Sequence, residues 1–299
     1  MKMETKITRL LGIDYPVIGA PMFLVSGPDL VAAVSNAGGM GTFASMSYRT
    51  LNDLRSAVRE IREKTSKPFG MNIVLHKAHN ALSREHFQLA LDEKIPLVIT
   101  SMGTPRTLIK EAHDHGIKVF CDVVSLKQAE VVVRAGADAL VAVAQGAGGH
   151  AGSISPFSLF PYIKEALDVP VLAAGSISRG IHMAAAFCLG ADAVYVGTRF
   201  IATPEANASA EYKQALVDAA PEEIIYSDKI SGVNANWLKE SFDRWLKYNS
   251  EENHDTSLKR WIDIWSAGHG VAQIHDIQPV AKIIADMIGE YEAVKNRLP

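Results

Sequence analysis

His150 lies in a segment made mostly of glycine and alanine, from Ala144 to Gly152. Small side chains let the backbone approach a flat ligand closely, and they leave room for the imidazole to project over it. Histidine also has the side-chain pKa nearest neutrality, which suits it to moving a proton. We therefore predict that His150 is catalytic, and the alternative is an incidental histidine in a flexible glycine loop.

Two further glycine turns have the composition of a phosphate site. Gly175 and Ser176 follow one apolar run, and Gly197 and Thr198 follow the next. Glycine exposes backbone N–H groups, hydroxyl groups donate hydrogen bonds, and the start of a following helix adds partial positive charge. We predict that these turns bind a phosphate, and the alternative is a pair of ordinary strand-to-helix turns.

Other positions admit more than one function. Asn72 is a polar amide inside an apolar run, so it either ties two strands together or reaches a ligand. The segment Ala20-Pro21-Met22 either lines a flat ring or packs in the core. His269 is expected to touch substrate if the C-terminal part of the chain covers the site. His76 and His79 have helix-like spacing, but no carboxylates complete a metal-binding set, so no metal is predicted.

The elements that must position these residues alternate along the chain. Short apolar runs bounded by Gly, Pro or Asp are typical of strands buried on both faces of a parallel sheet. Amphipathic stretches between them predict helices, which gives right-handed βαβ units. The predicted strands are Pro16–Met22, Gly39–Ala44, Pro68–Leu75, Pro96–Ser101, Ile117–Val123, Ala137–Ala144, Val169–Gly175 and Ala191–Phe200.

Eight such units close a barrel, in which active-site residues lie at the carboxyl ends of the strands. A weak internal repeat, Gly136–Ala139 and Gly190–Ala193, agrees with this count. We predict an α/β fold, a (β/α)₈ TIM barrel over residues 1–220. Residues 221–299 would form a helical extension over the barrel mouth that completes the same domain. An open doubly wound sheet is the alternative, but no early GxGxxG turn is present.

Composition and charge exclude several classes of protein. The 299 residues are 48% hydrophobic and 21% charged, which is a globular composition. A net charge of −3 gives no electrostatic basis for binding nucleic acid or an anionic membrane. We find no signal-peptide pattern and no apolar run near the roughly 18 residues of a membrane span. Cys121 and Cys188 have no metal or CxxC spacing, so we expect a cytoplasmic protein, with a homodimer as one possible assembly.

Several of these motifs together resemble the nitronate monooxygenase family, formerly called 2-nitropropane dioxygenases. The resemblance implies a TIM-barrel flavoenzyme that binds FMN and acts on a nitronate or nitroalkane with O₂. The same family includes FMN-dependent enoyl-acyl-carrier-protein reductases and NADH:quinone reductases. The matching segments are Pro16–Met22, Asn72, Gln145–Gly152, Gly197–Phe200 and Ile264–Gly268, which span nearly the whole chain.

The resemblance also implies a role for each matching residue. His150 would be the catalytic residue, which hydrogen-bonds the nitro group or acts as a base on the neutral nitroalkane. The phosphate would be bound by Gly175, Ser176, Gly197 and Thr198. The remaining cofactor-binding residues would be Ala20, Pro21, Met22, Asn72, Gln145, Gly149, Tyr195 and Val196.

Three features depart from the family pattern. The loop before His150 is shorter than the commoner acidic version, Asp122 replaces a basic residue of some quinone-reductase-like relatives, and His269 stands where many relatives have glutamine. Two alternatives to a nitronate monooxygenase therefore stay open. One is an NAD(P)H-dependent quinone or enoyl-thioester reductase on the same scaffold, and the other is a flavin-free, phosphate-binding isomerase or lyase.

Overall fold

A parallel sheet of eight strands forms the centre of the molecule. The computed structural model describes residues 2–75, 80–103, 105–249 and 262–297, so the predictions for His76 and His79 lie outside the described residues. A two-residue strand, β7 (Gly149–His150), lies outside this sheet. The eight strands are β1 (Val17–Gly19), β2 (Gly41–Ala44), β3 (Phe69–Val74), β4 (Leu97–Ser101), β5 (Lys118–Val123), β6 (Ala139–Val143), β8 (Val171–Ala174) and β9 (Ala193–Val196).

The sheet closes into a barrel between its first and second strands. Its order is β1-β9-β8-β6-β5-β4-β3-β2, with parallel pairing throughout. Met40, just before β2, forms a parallel bridge with Ile18 of β1, and its N–H donates to the Val17 carbonyl at 3.0 Å. The predicted TIM barrel is therefore confirmed, and each predicted strand is present with narrower bounds. The open doubly wound sheet is wrong.

Helices connect the strands and cover the outside of the barrel. Local sequence explains several of their starts, since Thr50 forms a capping box with Asp53 and Ser125 accepts from the Gln128 N–H. None of the described helices is long and apolar enough to cross a membrane. The helices up to residue 220 are α1 (Lys6–Leu11), α2 (Pro28–Asn36), α3 (Leu51–Lys64), α4 (Asn80–Asp92), α5 (Arg106–Asp114), α6 (Leu126–Arg134), α7 (Pro156–Ala166), α8 (Gly180–Cys188), α9 (Thr198–Ile201) and α10 (Ala210–Asp218).

The C-terminal extension contains strands as well as helices. The predicted terminal helix is present as α12 (Val280–Lys295), and α11 (Lys239–Tyr248) precedes it. Between α10 and α11 the chain forms two strands, β10 (Ile224–Ser227) and β11 (Ala235–Leu238). They pair antiparallel with each other, and β11 also pairs antiparallel with β7. The sequence analysis predicted only helix for this region, so the small sheet is a correction to it.

Alternation along the strands separates two layers of core. Residues such as Ile18, Phe120 and Val141 point into the barrel, where Ile7 of α1 joins the same cluster. The other face of each strand packs against the helices. Four residues of α12 belong to that outer core, so the extension shares the hydrophobic core of the barrel; they are Val280, Ile283, Ile284 and Met287.

Candidate active site

The loop that carries His150 begins and ends at the carboxyl end of β6. The Gln145 N–H donates to the Ile154 carbonyl at 2.8 Å, and the Gly152 N–H donates to the Val143 carbonyl at 3.3 Å. Within the loop, Gly146 and Gly149 have φ angles of +88° and +69°. These backbone conformations favour glycine, so the unusual composition of the segment has a local structural cause.

The small sheet of the extension holds this loop from the outside. His150 lies opposite Ala235 in the pairing of β7 with β11. The Asn236 side-chain amide donates to the Ala147 carbonyl at 2.7 Å, and the Tyr226 hydroxyl donates to the Ala151 carbonyl at 3.0 Å. The extension thus fixes the position of the loop at the barrel mouth. No sequence pattern pointed to Asn236, because only the folded chain buries this amide.

The hydrogen bonds of Ser231 determine which nitrogen of His150 is basic. The Ser231 hydroxyl donates its proton to the Val233 carbonyl at 2.9 Å. At its 3.2 Å contact with His150 Nε2, the Ser231 oxygen can then accept, which favours the neutral tautomer with its proton on Nε2. Nδ1 is then the basic nitrogen. His150 is an exposed residue, but the protein atoms around its ring partly desolvate it and lower its pKa, so the neutral form prevails at pH 7.

The two predicted phosphate turns lie at the ends of neighbouring strands, β8 and β9. Gly175 has a φ of +123° and Ser176 has a φ of +57°. A non-glycine residue in this left-handed region costs about 1–3 kcal/mol and persists where the surroundings require that shape. After Gly197 the helix α9 has only four residues, so its dipole contributes less to a phosphate than the sequence analysis assumed.

A segment of the extension, Gly268–Gly270, binds to the same turns. The Gly268 N–H donates to the Thr198 hydroxyl oxygen at 3.0 Å, which leaves the Thr198 proton for another acceptor. The Ser178 hydroxyl donates to the Gly270 carbonyl at 2.8 Å. The extension therefore belongs to the candidate phosphate site as well as to the loop of His150.

His269 lies beside the phosphate turns. The backbone N–H of His269 donates to the Gly146 carbonyl at 3.0 Å. A Cβ atom built on Gly146 would clash with Ser176 Oγ and would lie 3.1 Å from His269 Nδ1, so these two polar side chains flank the same point. The structure thus brings His269 to Ser176, whereas the sequence analysis expected it to touch substrate.

The predicted apolar wall lies next to the second phosphate turn. Ser26 fixes the chain here, because its hydroxyl accepts from the Met22 N–H and donates to the Ala20 carbonyl, both at 2.9 Å. A Cβ atom on Gly197 would lie 3.6 Å from Ala20 Cβ and 3.7 Å from Met22 Sδ. Ala20, Pro21 and Met22 are all partly exposed at the mouth, as residues that line a ligand must be.

Three other predicted residues have different placements. Asn72 ties strands together, since its amide nitrogen donates to the Ile99 carbonyl at 3.2 Å and to the Ser101 hydroxyl at 3.3 Å. Only its oxygen could accept from a ligand. The Val196 side chain is buried in the outer core, so only its backbone could contact a cofactor. Gln145 is exposed at the start of the His150 loop.

Two polar side chains project from the inner wall near the mouth, Asp122 on β5 and Tyr195 on β9. Among the described residues, Asp122 Oδ1 and the Tyr195 hydroxyl have no hydrogen-bond partner, although both atoms are buried. Buried polar atoms normally have partners, so this pattern fits a site that binds a ligand with polar edges. The sequence analysis included Tyr195 in the cofactor site but not Asp122.

Comparison with known proteins identifies the family. A model of the nitronate monooxygenase family matches residues 4–290. The chain belongs to this family. Within it, the chain is similar to the nitronate monooxygenase of Paraburkholderia phytofirmans, with 33% identity over 278 residues that cover 78% of this chain and 76% of that protein.

Relatives with other names are equally similar. A (3aS,4S,5R,7aS)-5-hydroxy-7a-methyl-1-oxo-octahydro-1H-indene-4-carboxyl-CoA dehydrogenase of Mycobacterium tuberculosis is 32% identical over 236 residues, which cover 78% of this chain but only 65% of that protein. The structure of FabK from Thermotoga maritima is similar with 34% identity and a TM-score of 0.87, covering 99% of this chain and 98% of that one. The family and the fold are thus shared by proteins with different names.

Proposed function

We propose that this chain is an FMN-dependent nitronate monooxygenase, which oxidises alkyl nitronates with O₂ and needs no nicotinamide reductant. The observation that carries the proposal is His150, a neutral histidine with a basic Nδ1 at the barrel mouth that also contains the glycine turns. Family membership supports it. We further propose a cytoplasmic location, and leave a homodimer as the possible assembly.

FMN fits the residues that meet at this mouth. The turns at Gly175–Ser176 and Gly197–Thr198 would bind its phosphate, and Ala20 and Met22 would contact the ring. The unpartnered Tyr195 hydroxyl suits a ligand with polar edges. When bound, FMN would accept electrons from the substrate and pass them to O₂. Among the described residues, the atoms nearest to a Cβ built on Gly197 are those of Ala20 and Met22, at 3.6 and 3.7 Å, so this position is not filled by another side chain.

The chain itself would supply proton transfer and orientation. On a neutral nitroalkane, His150 Nδ1 would take the proton from the carbon next to the nitro group, while Ser231 keeps the ring in the required tautomer. The protonated Nδ1 would then donate to the nitro group of the nitronate. A substrate supplied as the nitronate has already lost this proton, so it does not need His150 as a base.

Oxygen uptake tests the proposed reaction. FMN-loaded protein mixed with an alkyl nitronate in air, without NADH or NADPH, is expected to consume O₂ with saturable dependence on the nitronate. Protein stripped of FMN is the control and should consume none until FMN is restored. An FMN-loaded protein that leaves O₂ untouched would rule out the monooxygenase.

Enoyl-thioester reduction is the second candidate function. Two observations favour it: the likeness to FabK extends over nearly the whole of both chains, and a relative of similar identity is named for a CoA thioester. The same FMN site would serve this reaction, with NAD(P)H as the reductant. Oxidation of NADH that depends on an added enoyl thioester, without nitronate-dependent O₂ uptake, would identify it.

The pKa of His150 predicts an acid limb in the pH profile. Only the neutral imidazole accepts a proton, and burial lowers its pKa from the usual 6.5. We therefore expect kcat/KM for a neutral nitroalkane to be constant near pH 7 and to fall about tenfold per pH unit below an apparent pKa under 6.5. The profile for the nitronate should lack this fall. An acid limb centred above pH 7 would contradict the assignment.

A further inference from the structure

The last inward-facing positions of the barrel strands form a polar layer. On β5 the inward residue Phe120 is followed by Asp122, and on β9 Ala193 is followed by Tyr195. Both polar residues are next to last in their strands, so they lie just below the mouth. On β2 and β3, Thr42 and Asn72 are buried polar residues as well. The apolar filling of the barrel therefore ends at this layer.

The four side chains of this layer differ in whether their polar atoms form hydrogen bonds. Thr42 Oγ1 donates to the Gly19 carbonyl at 2.5 Å, and Asn72 donates to β4. By contrast, Asp122 Oδ1 and the Tyr195 hydroxyl form no hydrogen bond of normal geometry among the described residues, although Thr42 lies close enough to the Tyr195 hydroxyl to oppose the rise in its pKa. Tyr195 is only 9% exposed, so bulk water does not compensate its hydroxyl. A buried polar group left without a partner is unfavourable, and a ligand that bonds to it would remove that penalty.

No cation neutralises Asp122 among the described residues. Burial alone raises its pKa to about 7, and no ion pair involves its carboxylate. β6 presents the apolar Val141 opposite Asp122, whereas Thr100 of β4 lies on the outer face beside Cys121. The titratable neighbours are Cys121 on the outer face and Tyr195 on the inner face. Burial raises the pKa of both, and the Asp122 charge adds to each rise. Desolvation lowers the pKa of His150.

We propose that the Asp122 carboxyl and the Tyr195 hydroxyl contact the polar edge of the bound flavin, and that the negative charge of Asp122 lowers its reduction potential. This inference rests on the proposed FMN site. A carboxylate beside the ring opposes the arrival of electrons by Coulomb repulsion, which is strong where water is excluded. Asp122 would thus favour return of electrons to O₂ over their retention on the flavin.

Redox titration of the FMN-loaded protein against a reference dye tests this inference. At about pH 9, where Asp122 is ionised, Asp122→Asn should shift the equilibrium at least tenfold toward reduced flavin, which is about 30 mV for two electrons. Asp122→Glu, which retains the charge, should stay near the wild type. At about pH 6, where the wild-type carboxyl is largely protonated, the effect of Asp122→Asn should be smaller. Asp218→Asn, which removes a charge on α10, is the control and should change nothing.

A second pair of measurements keeps the test decisive. Tyr195→Phe should weaken FMN binding without changing the pH dependence of the potential. If Asp122→Asn does not fold, the spectrum of oxidised FMN bound to the His150→Asn variant should still change with a pKa near that of Asp122. FMN-loaded Asp122→Asn with the wild-type potential at high pH, or a spectrum that does not titrate, would overturn the inference. Failure of the wild type to bind FMN would instead overturn the proposed function, and this inference with it.

Discussion

Replacing His150 with Asn is expected to lower the turnover of a neutral nitroalkane by about 10²–10⁴-fold, the usual contribution of a general base. Turnover of the corresponding nitronate should fall much less, because its proton has already been removed. FMN content should not change, since the ring is not needed to hold the phosphate turns together. Steady-state O₂ uptake with both forms of one substrate gives the two effects from a single preparation.

His115→Asn is the matched control for this substitution. His115 follows α5 at the opposite end of the barrel, and its Nδ1 contacts the Glu111 carbonyl at 2.8 Å. The His115→Asn substitution removes an imidazole of the same size far from the barrel mouth. The turnover rates of the nitroalkane and of the nitronate should therefore both stay within about twofold of the wild type. An unchanged nitroalkane rate in His150→Asn would refute the catalytic role of His150.

Gly197→Val is expected to abolish FMN binding while the barrel still folds. Gly197 has a φ of −110° and a ψ of −82°, so a side chain there avoids the left-handed region but lies outside the usual ranges of a branched residue. The new side chain would extend beside Ala20 and Met22, at 3.6 and 3.7 Å from its first atom, and would fill the proposed ring site. We expect FMN affinity to fall more than about 100-fold, or about 2.8 kcal/mol. Fluorescence titration of the flavin-free protein with FMN measures it.

Thermal unfolding separates this effect from misfolding. Flavin-free Gly197→Val should still unfold in one cooperative transition, at a somewhat lower temperature than the flavin-free wild type because its ψ is unfavourable for a branched residue. Gly289→Ala is the control, because a Cβ on Gly289 meets nothing within 4 Å in the middle of α12. That change should stabilise the protein by about 0.5–1 kcal/mol and leave FMN affinity unchanged. Wild-type FMN affinity in Gly197→Val would show that the cofactor does not lie against β9.

The barrel could be predicted from the sequence because its signals are local. Each strand is a short apolar run between Gly, Pro or Asp, and helices such as α3 begin at a residue whose cap lies within the same few positions. The glycine turns after β8 and β9 were found by the same local composition. The exact bounds of the strands could not be predicted, because the strand ends depend on hydrogen bonds to neighbouring strands.

The remaining parts of the site depend on contacts between distant segments. His150 and Ser231 are 81 residues apart, and the small sheet that joins their segments has strands of only two to four residues. Strands of this length are too short for an alternating hydrophobic pattern to be recognised in the sequence. Asp122 occupies a strand position that sequence alone cannot assign to the inner or outer face, so its burial and its raised pKa appear only in the closed barrel.

Anaerobic mixing of the FMN-loaded protein with NADH, followed by admission of air and a nitronate, tests the central claim most directly. The proposed function predicts that NADH bleaches the flavin absorbance slowly or not at all, and that the nitronate is then oxidised with consumption of O₂. Rapid bleaching by NADH, with no oxidation of the nitronate in air, would contradict the monooxygenase and identify the chain as a nicotinamide-dependent reductase.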